Sequence, residues 1–137
     1  MAKIHPVQSM NMKTLFTLSI LVTLCSSFVF SAGIDDVISA VRSGNSGLVA
    51  KYFDSNVEIS MPDKSNSYSK SQAELVLKDF FLTNPVKGFA VIHKGENAGS
   101  QYCIGTLQTR NGAYRTTIFM KQKGDGQVLQ ELRFENR

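Results

Sequence analysis

Apolar residues recur at the spacing of one helix face in three parts of the chain. These parts cover residues 34–43, 46–53 and 71–83. Gly44 follows the first segment as a typical helix stop, and Pro85 ends the third. Ser71 and Glu74 have the spacing of a capping box at the start of the third segment. The pattern therefore predicts a helical hairpin and, further along the chain, a third helix.

Between and after these helices, apolar and polar residues alternate as they do in half-buried strands. A short strand is predicted at 57–61, with residues 67–69 as its partner. Four longer strands follow, at 88–94, 100–109, 113–122 and 127–135. The dipeptides Asn111-Gly112 and Asp125-Gly126 favour two-residue hairpins, because these residues accept a positive φ. The last third of the chain is therefore predicted to be an antiparallel meander.

Tight hairpins fix the register of the meander and so assign each side chain to one face of the sheet. With the two dipeptides as turns, the face predicted to lie against the helices carries Phe89, Val91, His93, Tyr102, Ile104, Thr106, Arg115, Thr117, Phe119, Leu132 and Phe134. The opposite face would carry Ala90, Ile92, Cys103, Gly105, Leu107, Tyr114, Thr116, Ile118, Met120, Leu129, Glu131 and Arg133.

The second of these faces is too apolar to be fully wet, so a symmetric partner subunit is expected to cover it. The candidate dimer face consists of Ile92, Leu107, Ile118, Met120 and Leu129. On this assignment, Ile118→Arg is expected to give a soluble monomer.

The order of the elements resembles the cone-shaped α+β fold of the nuclear transport factor two (NTF2)-like superfamily. Four segments carry the resemblance: GIDDVISAVRSGNSGLVAKYF, VEISM, SQAELVLKDFFLTNP and GQVLQELRFENR. Within the superfamily, the chain looks like small secreted bacterial proteins grouped as a domain of unknown function. The resemblance implies helices packed on one face of a curved antiparallel sheet, a pocket between them, and dimerisation through the open face of the sheet.

The residues expected to line that pocket are His93, Tyr102, Thr106, Thr117 and Phe119. The resemblance implies that a catalytic member would need an acid or base in the cone, typically paired with a carboxylate. Glu131 and Glu135 are predicted to point to the other face, so no strand carboxylate would reach His93.

Two functions remain open. The first is a non-catalytic domain that binds a small ligand, a peptide or an envelope component through its cone or its open sheet face, as a homodimer. The alternative is a small enzyme of isomerase, dehydratase or hydrolase type that uses His93 and Tyr102. A carboxylate within hydrogen-bond reach of His93, inside a closed apolar pocket, would favour the enzyme.

The first 31 residues have the composition of a signal peptide. Lys3 and Lys13 are their only charged residues, and residues 15–30 contain no charge, proline or glycine. This apolar run is shorter than the ~20 residues that span a bilayer, so a retained anchor is the weaker alternative. We therefore expect a leader at 1–31, one domain at 32–137 and an exported protein, either periplasmic or secreted.

Details of the leader leave alternatives open. Met10 or Met12 could be the true start, in which case residues 1–11 carry no structural meaning. Lipidation at Cys25 is disfavoured, because Leu24 stands where a small residue is needed. Without Cys25, the mature domain keeps only Cys103 and forms no internal disulfide.

Charge and motif content argue against several other classes of function. Two of the 15 basic residues lie in the leader, and the others are scattered among 11 acidic residues, so no nucleic-acid groove is expected. After loss of the leader, the one remaining histidine and one remaining cysteine are too few for a metal site, and no phosphate-binding loop is present, so no cofactor is expected. Cys103 is expected to be a small apolar filler, and after loss of the leader no membrane association is expected.

Expression of the full chain in a bacterial host should yield an exported protein that begins at Ala32. Cleavage after Ser31 is favoured because Val29 and Ser31 then occupy the small-residue positions of the cleavage site. Intact-mass spectrometry of the isolated protein checks this directly. A mass beginning at Gly33 would indicate the alternative cut after Ala32, and a mass that retains the leader would contradict export.

Overall fold

The computed structural model describes residues 33–137, and the predicted leader lies outside them. In chain order the elements are α1 (Ile34–Ser43), α2 (Ser46–Ala50), β1 (Phe53–Met61), β2 (Lys64–Ser69), α3 (Lys70–Thr83), β3 (Val86–Asn97), β4 (Ser100–Thr109), β5 (Gly112–Lys123) and β6 (Gly126–Asn136). The strands form one sheet in the order β2-β1-β6-β5-β4-β3, with β1 and β6 parallel and the other neighbours antiparallel. The predicted α+β class is confirmed, and the predicted meander corresponds to β3–β6 of this six-stranded sheet.

Local hydrogen bonds explain where the helices begin and end. The Asp36 carboxylate accepts a bond of 3.1 Å from the Gly33 amide at the start of α1, and Gly44 ends the helix with a φ of 66°. Ser69 caps α3 by accepting a bond of 3.4 Å from the Gln72 amide. The predicted capping box at Ser71 was therefore two residues late.

The second helix is shorter than predicted, because the chain enters the sheet earlier. Asn45 caps α2, which ends at Ala50, and Phe53 already pairs with Leu129 of β6. Within residues 33–137, no helix has both the length and the apolar character needed to cross a bilayer.

The three helices cover one face of the sheet and bury a continuous apolar core. Phe134 of β6 stacks on Phe80 of α3, with ring centroids 4.3 Å apart, and meets Phe81 edge-on at 6.5 Å. The largest fully buried side chains are Phe134, Ile59, Leu77, Leu107, Ile118, Met120, Leu129, Leu132, Val37, Val41, Val49 and Val57. These side chains fill the inside of the cone.

Both predicted turns are two-residue hairpins, but each lies one residue earlier than expected. The closing pairs are Thr109 with Gly112 and Lys123 with Gly126. The Asn111 side chain donates to the Thr83 carbonyl at the end of α3, which holds Asn111 inside the first loop. Gly124 takes the positive φ of the second loop, at 60°.

A bulge in β6 reverses the predicted facing of β4 and β5. Phe119 pairs with Glu131, but Met120 pairs with Leu129, so Gln130 is an extra residue on β6. Leu129 and Leu132 therefore both point into the core. The prediction assumed an uninterrupted register and therefore put Phe119 and Phe134 on the same face of the sheet. Because of the bulge, Phe134 lies in the core and Phe119 lies on the other face.

The side chains of β4 and β5 that were predicted to face the helices therefore lie on the opposite face, and those predicted to lie on the opposite face point into the core. Four residues of the predicted dimer face, Leu107, Ile118, Met120 and Leu129, are each 0 % exposed in the core. The fifth, Ile92, is 60 % exposed beside a second bulge in β3. Ile118→Arg would therefore bury a charge and disrupt folding, so it cannot serve as a test of dimerisation.

The predicted pocket residues lie on the face that the helices leave uncovered. These residues are His93, Tyr102, Thr106, Thr117 and Phe119. Thr106 alone among them is buried there, because the Arg137 guanidinium covers it and donates to its hydroxyl at 2.6 Å.

Replacing the two phenylalanines tests this facing. Phe134→Ala should lower the free energy of unfolding by about 3–5 kcal/mol, because it leaves a cavity in the core. Phe119→Ala should cost about 1 kcal/mol, because its ring is only half-buried. Urea unfolding of both variants measures the difference, and equal losses would contradict the assignment of the two faces.

Asp54 ties the β5–β6 turn to the start of β1. Its carboxylate binds the Lys123 ammonium at 2.6 Å and also accepts from the Ser55 amide at 2.7 Å and the Gln130 amide group at 3.4 Å. The Lys123 bond is the largest of the effects that lower the pKa of Asp54 from 3.8 to about 2.

This pKa predicts a specific loss of stability in acid. Because the folded-state pKa is depressed, the stabilisation is present above pH 3.8 and is lost as the pH falls toward about 2. Asp54→Asn should lower the slope of unfolding free energy against pH between about 2 and 3.8. Urea unfolding at several pH values in this range measures the slope. An unchanged slope in the variant would show that other groups cause the acid sensitivity.

Candidate functional site

The uncovered face of the sheet, here called the open face, presents two rows of side chains that run across the strands. From β1 to β3, the first row is Glu58, Glu131, Phe119, Tyr102 and Gly95. The second row is Ser60, Arg133, Thr117, Ile104 and His93. Arg115 and Glu135, paired on β5 and β6, extend the open face beyond the second row. The open face thus combines apolar rings with charges of both signs.

His93 and Tyr102 are neighbours, although they lie on the open face and not in the cone. The His93 Nε2 and the Tyr102 hydroxyl are 2.8 Å apart, and the ring centroids are separated by 5.5 Å. Gly95 makes this placement of the tyrosine ring feasible, since a Cβ there would approach the ring to about 2.6 Å. The sequence analysis placed both residues on one face of the sheet, which is correct, but it assigned that face to the helix side, which is wrong.

Glu58 and Glu131 are the two carboxylates of the first row. Each is bound to another side chain, and each is separated from Tyr102 by at least one strand. Glu131 and Tyr102 are separated by β5, which places their backbones about 10 Å apart. Arg133 binds the Glu131 carboxylate at 2.6 Å, and Ser65 donates to Glu58 at 3.5 Å. Glu131 was predicted to lie on the face opposite His93, and that was wrong, because both belong to the open face.

The geometry around His93 is that of an exposed hydrogen-bonded pair. Among residues 33–137, its side-chain partner is the Tyr102 hydroxyl, and no carboxylate of that range bonds to it. His93 is exposed, so water reaches the imidazole freely. The arrangement can hold a polar group at the rim of an apolar surface, and it lacks the enclosed pocket that concentrates acid–base chemistry.

A cavity, here called the cone cavity, remains between α3 and the β1–β2 turn. Its volume is about 400 Å³, and it is lined by Met61, Pro62, Asp63, Lys64, Val76, Asp79, Phe80, Thr83, Asn84, Tyr114 and Asn136. The Tyr114 hydroxyl donates to the Asn84 side chain at 2.9 Å, and Asn84 in turn donates to the Phe80 carbonyl at 3.1 Å. Sequence reasoning missed the residues that line this cavity, because they come from five separate elements and the segments that follow β1 and α3.

Cys103 lies among apolar side chains and is 0 % exposed. Burial raises the pKa of its thiol, which keeps the sulfur protonated and weakly nucleophilic. Within the described part of the chain, no three histidine, cysteine or acidic side chains converge as metal ligands would.

Comparison with known proteins identifies the family. The family model described as Domain of unknown function (DUF4783) matches residues 34–135. The chain belongs to the DUF4783 family. A DUF4783 protein from Bacteroides uniformis is 30 % identical, with a TM-score of 0.74 over 77 % of this chain and 98 % of that one. One from Bacteroides ovatus is also 30 % identical, with a TM-score of 0.73 over 78 % and 96 % of the two chains.

More distant structures confirm the predicted fold. An NTF2-like protein of unknown function from Cytophaga hutchinsonii is 10 % identical to this chain. Its TM-score is 0.55, over 74 % of this chain and 83 % of that one. That likeness shows the fold alone, and it agrees with the helices and curved sheet described above. None of the curated proteins compared with the chain matches it.

Proposed function

We propose that this DUF4783 protein is an exported, non-catalytic binding domain that forms a homodimer through its open face. One observation carries the proposal: the cone is filled by its own core, while apolar side chains remain on a sheet face that no helix of residues 33–137 covers. Tyr102, Ile104 and Phe119 are each half-buried on that face. An apolar surface of this kind is most stable when a second surface excludes water from it.

Charge on the open face favours a second copy of the chain as the occupant. On β6, Glu131 is paired with Arg133 and Glu135 adds a further negative charge, whereas Arg115 and Lys121 lie on the neighbouring β5. A two-fold axis parallel to the strands, between β5 and β6, would lay β5 of one copy over β6 of the other. Each Arg115 would then face Glu135 of the second copy, and the two Phe119 rings would lie near the axis.

Different parts of the chain support export and ligand binding. The predicted leader at 1–31 supports a periplasmic or secreted protein. A small ligand would bind in the cone cavity and reach no deeper, because Phe80 and Phe134 fill the space behind it. A peptide or envelope component would have to bind outside the surface that the dimer covers.

The alternative of a small isomerase, dehydratase or hydrolase is less well supported. Such an enzyme needs His93 and Tyr102 in an enclosed pocket, with a carboxylate within hydrogen-bond reach of His93. The exposure of His93 and the ion pair between Arg133 and Glu131 favour the non-catalytic proposal.

Phe119→Arg is the direct test of the dimer. It places a bulky charge near the proposed two-fold axis, and should weaken association by at least roughly tenfold. The matched control is Leu82→Arg on α3, since Leu82 is 69 % exposed and lies on the helical side of the sheet. Sedimentation velocity at several protein concentrations should show a dimer for the unaltered protein and the control, and a monomer for Phe119→Arg.

Three outcomes would count against the proposal. An unaltered protein that stays monomeric at high concentration would remove the dimer altogether. A Phe119→Arg variant that still dimerises would place the interface elsewhere. Loss of the dimer in Leu82→Arg alone would assign the interface to the exposed leucines of the helices. Far-ultraviolet circular dichroism of each variant confirms that the fold is kept.

A further inference from the structure

His93 is the side chain of the open face whose charge changes near neutral pH. It is the only histidine of residues 33–137, it is exposed, and its Nε2 lies 2.8 Å from the Tyr102 hydroxyl. Histidine side chains take up a proton between about pH 8 and about pH 5.5, where carboxylates stay negative and lysine and arginine stay positive. The charge of the open face therefore changes in this range through His93.

The charged side chains of the neighbouring elements are bound elsewhere or lie two strands away from His93. Lys94 binds Asp35 of α1, Arg42 of α1 donates to the Phe89 carbonyl, Glu96 accepts from Gln101, and Arg115 and Lys121 belong to β5. On β4, the pairing residue is Ile104 and the hydrogen-bond partner is Tyr102. Within one copy of residues 33–137, a protonated His93 would therefore lack a carboxylate partner.

Glu58 is an exposed carboxylate on β1 that has no basic partner among residues 33–137. It lies directly beside Glu131 of β6, and like charges this close repel each other. Arg133 neutralises Glu131 at 2.6 Å, whereas Glu58 accepts a long bond of 3.5 Å from the Ser65 hydroxyl. A cation supplied from outside the chain would therefore stabilise Glu58.

The proposed dimer would bring Glu58 of one copy to the histidine of the other. A two-fold axis parallel to the strands keeps each row of side chains at its level and reverses its order. With the axis between β5 and β6, β4 of one copy lies over β1 of the other, so Tyr102 faces Glu58 of the second copy. Aligned sheets cross at about 30°, which displaces this pair by roughly 4 Å along the strands. Two long side chains span that displacement.

The hydrogen bond between His93 and Tyr102 connects the proton to this carboxylate. A neutral imidazole can accept the hydroxyl proton at Nε2, and the Tyr102 oxygen then presents its lone pairs to Glu58 of the second copy, which is unfavourable. A protonated imidazole donates at Nε2, so the Tyr102 hydroxyl is free to donate to that carboxylate. The added positive charge and the reversed hydrogen bond both favour the dimer.

We propose that protonation of His93 strengthens the dimer, by pairing His93 and Tyr102 of each copy with Glu58 of the other. This inference rests on the proposed dimer and adds its response to pH. Because the dimer holds the protonated imidazole more favourably than the monomer does, dimerisation takes up protons. The association constant therefore rises as the pH falls from about 8 to about 5.5.

Sedimentation velocity of the exported protein, at several concentrations and between about pH 5.5 and about pH 8, measures this response. The dissociation constant of the unaltered protein should fall by at least roughly tenfold toward the lower pH, as expected when the dimer binds the proton about tenfold more tightly. His93→Gln removes the titrating group and Glu58→Gln removes the carboxylate, so each should abolish the pH dependence. Glu74→Gln on α3 is the matched control and should keep it.

A disulfide locates the contact independently of pH. In Glu58→Cys/Tyr102→Cys, the two cysteines of one copy are three strands apart, about 14 Å, which is too far for a disulfide. Cys103 is 0 % exposed and stays out of the reaction. Mild oxidation should therefore give covalent dimers on non-reducing electrophoresis. The matched control, Glu74→Cys/Tyr102→Cys, should stay monomeric.

Each way in which these tests can fail has a separate meaning. An unaltered protein that is monomeric at every pH would refute the dimer and this inference with it. A dimer whose dissociation constant does not change with pH would refute the role of His93 alone. A pH response that survives in a folded His93→Gln variant would assign the response to another group. A dimer by sedimentation without covalent dimers in Glu58→Cys/Tyr102→Cys would show that the copies meet in a different register.

Discussion

The structure depends on the packing of α3 against the centre of the sheet, where Phe134 stacks on Phe80 and meets Phe81 edge-on. Burial of these three rings decides which face of the sheet is closed by helices, and it fills the space that a cone could otherwise keep for a ligand. Every candidate site must therefore lie outside the core, either on the open face or in the cone cavity.

A single extra residue distributes the side chains between these regions. Gln130 forms the bulge in β6, and it allows Leu129 and Leu132 to point into the core from positions of opposite parity. The same bulge places Glu131 and Arg133 on the open face beside Phe119. Stability and surface chemistry are thus coupled in β6, because one irregularity sets both the packing of the leucines and the charge pattern of the open face.

Membership of the DUF4783 family and the NTF2-like fold establish a scaffold, and function has to be argued from its surfaces. These surfaces differ in chemistry in a way that suits different partners. The open face combines half-buried rings with opposite charges, as a self-associating surface would. The cone cavity has aromatic walls and a charged rim.

Sequence alone determined the class of fold, the three helices and the meander, because helix and strand periods and turn residues are local signals. It also placed His93 and Tyr102 on one face of the sheet. It could not determine the facing of β4 and β5, because apolar residues occupy both parities there and a bulge leaves no local signature. The parallel pairing of β1 with β6, which brings Glu58 beside Glu131, and the meeting of Gln127 with Gly99 join residues distant in the chain. Only tertiary packing decides such contacts, since their free energy appears when the whole sheet closes against the helices.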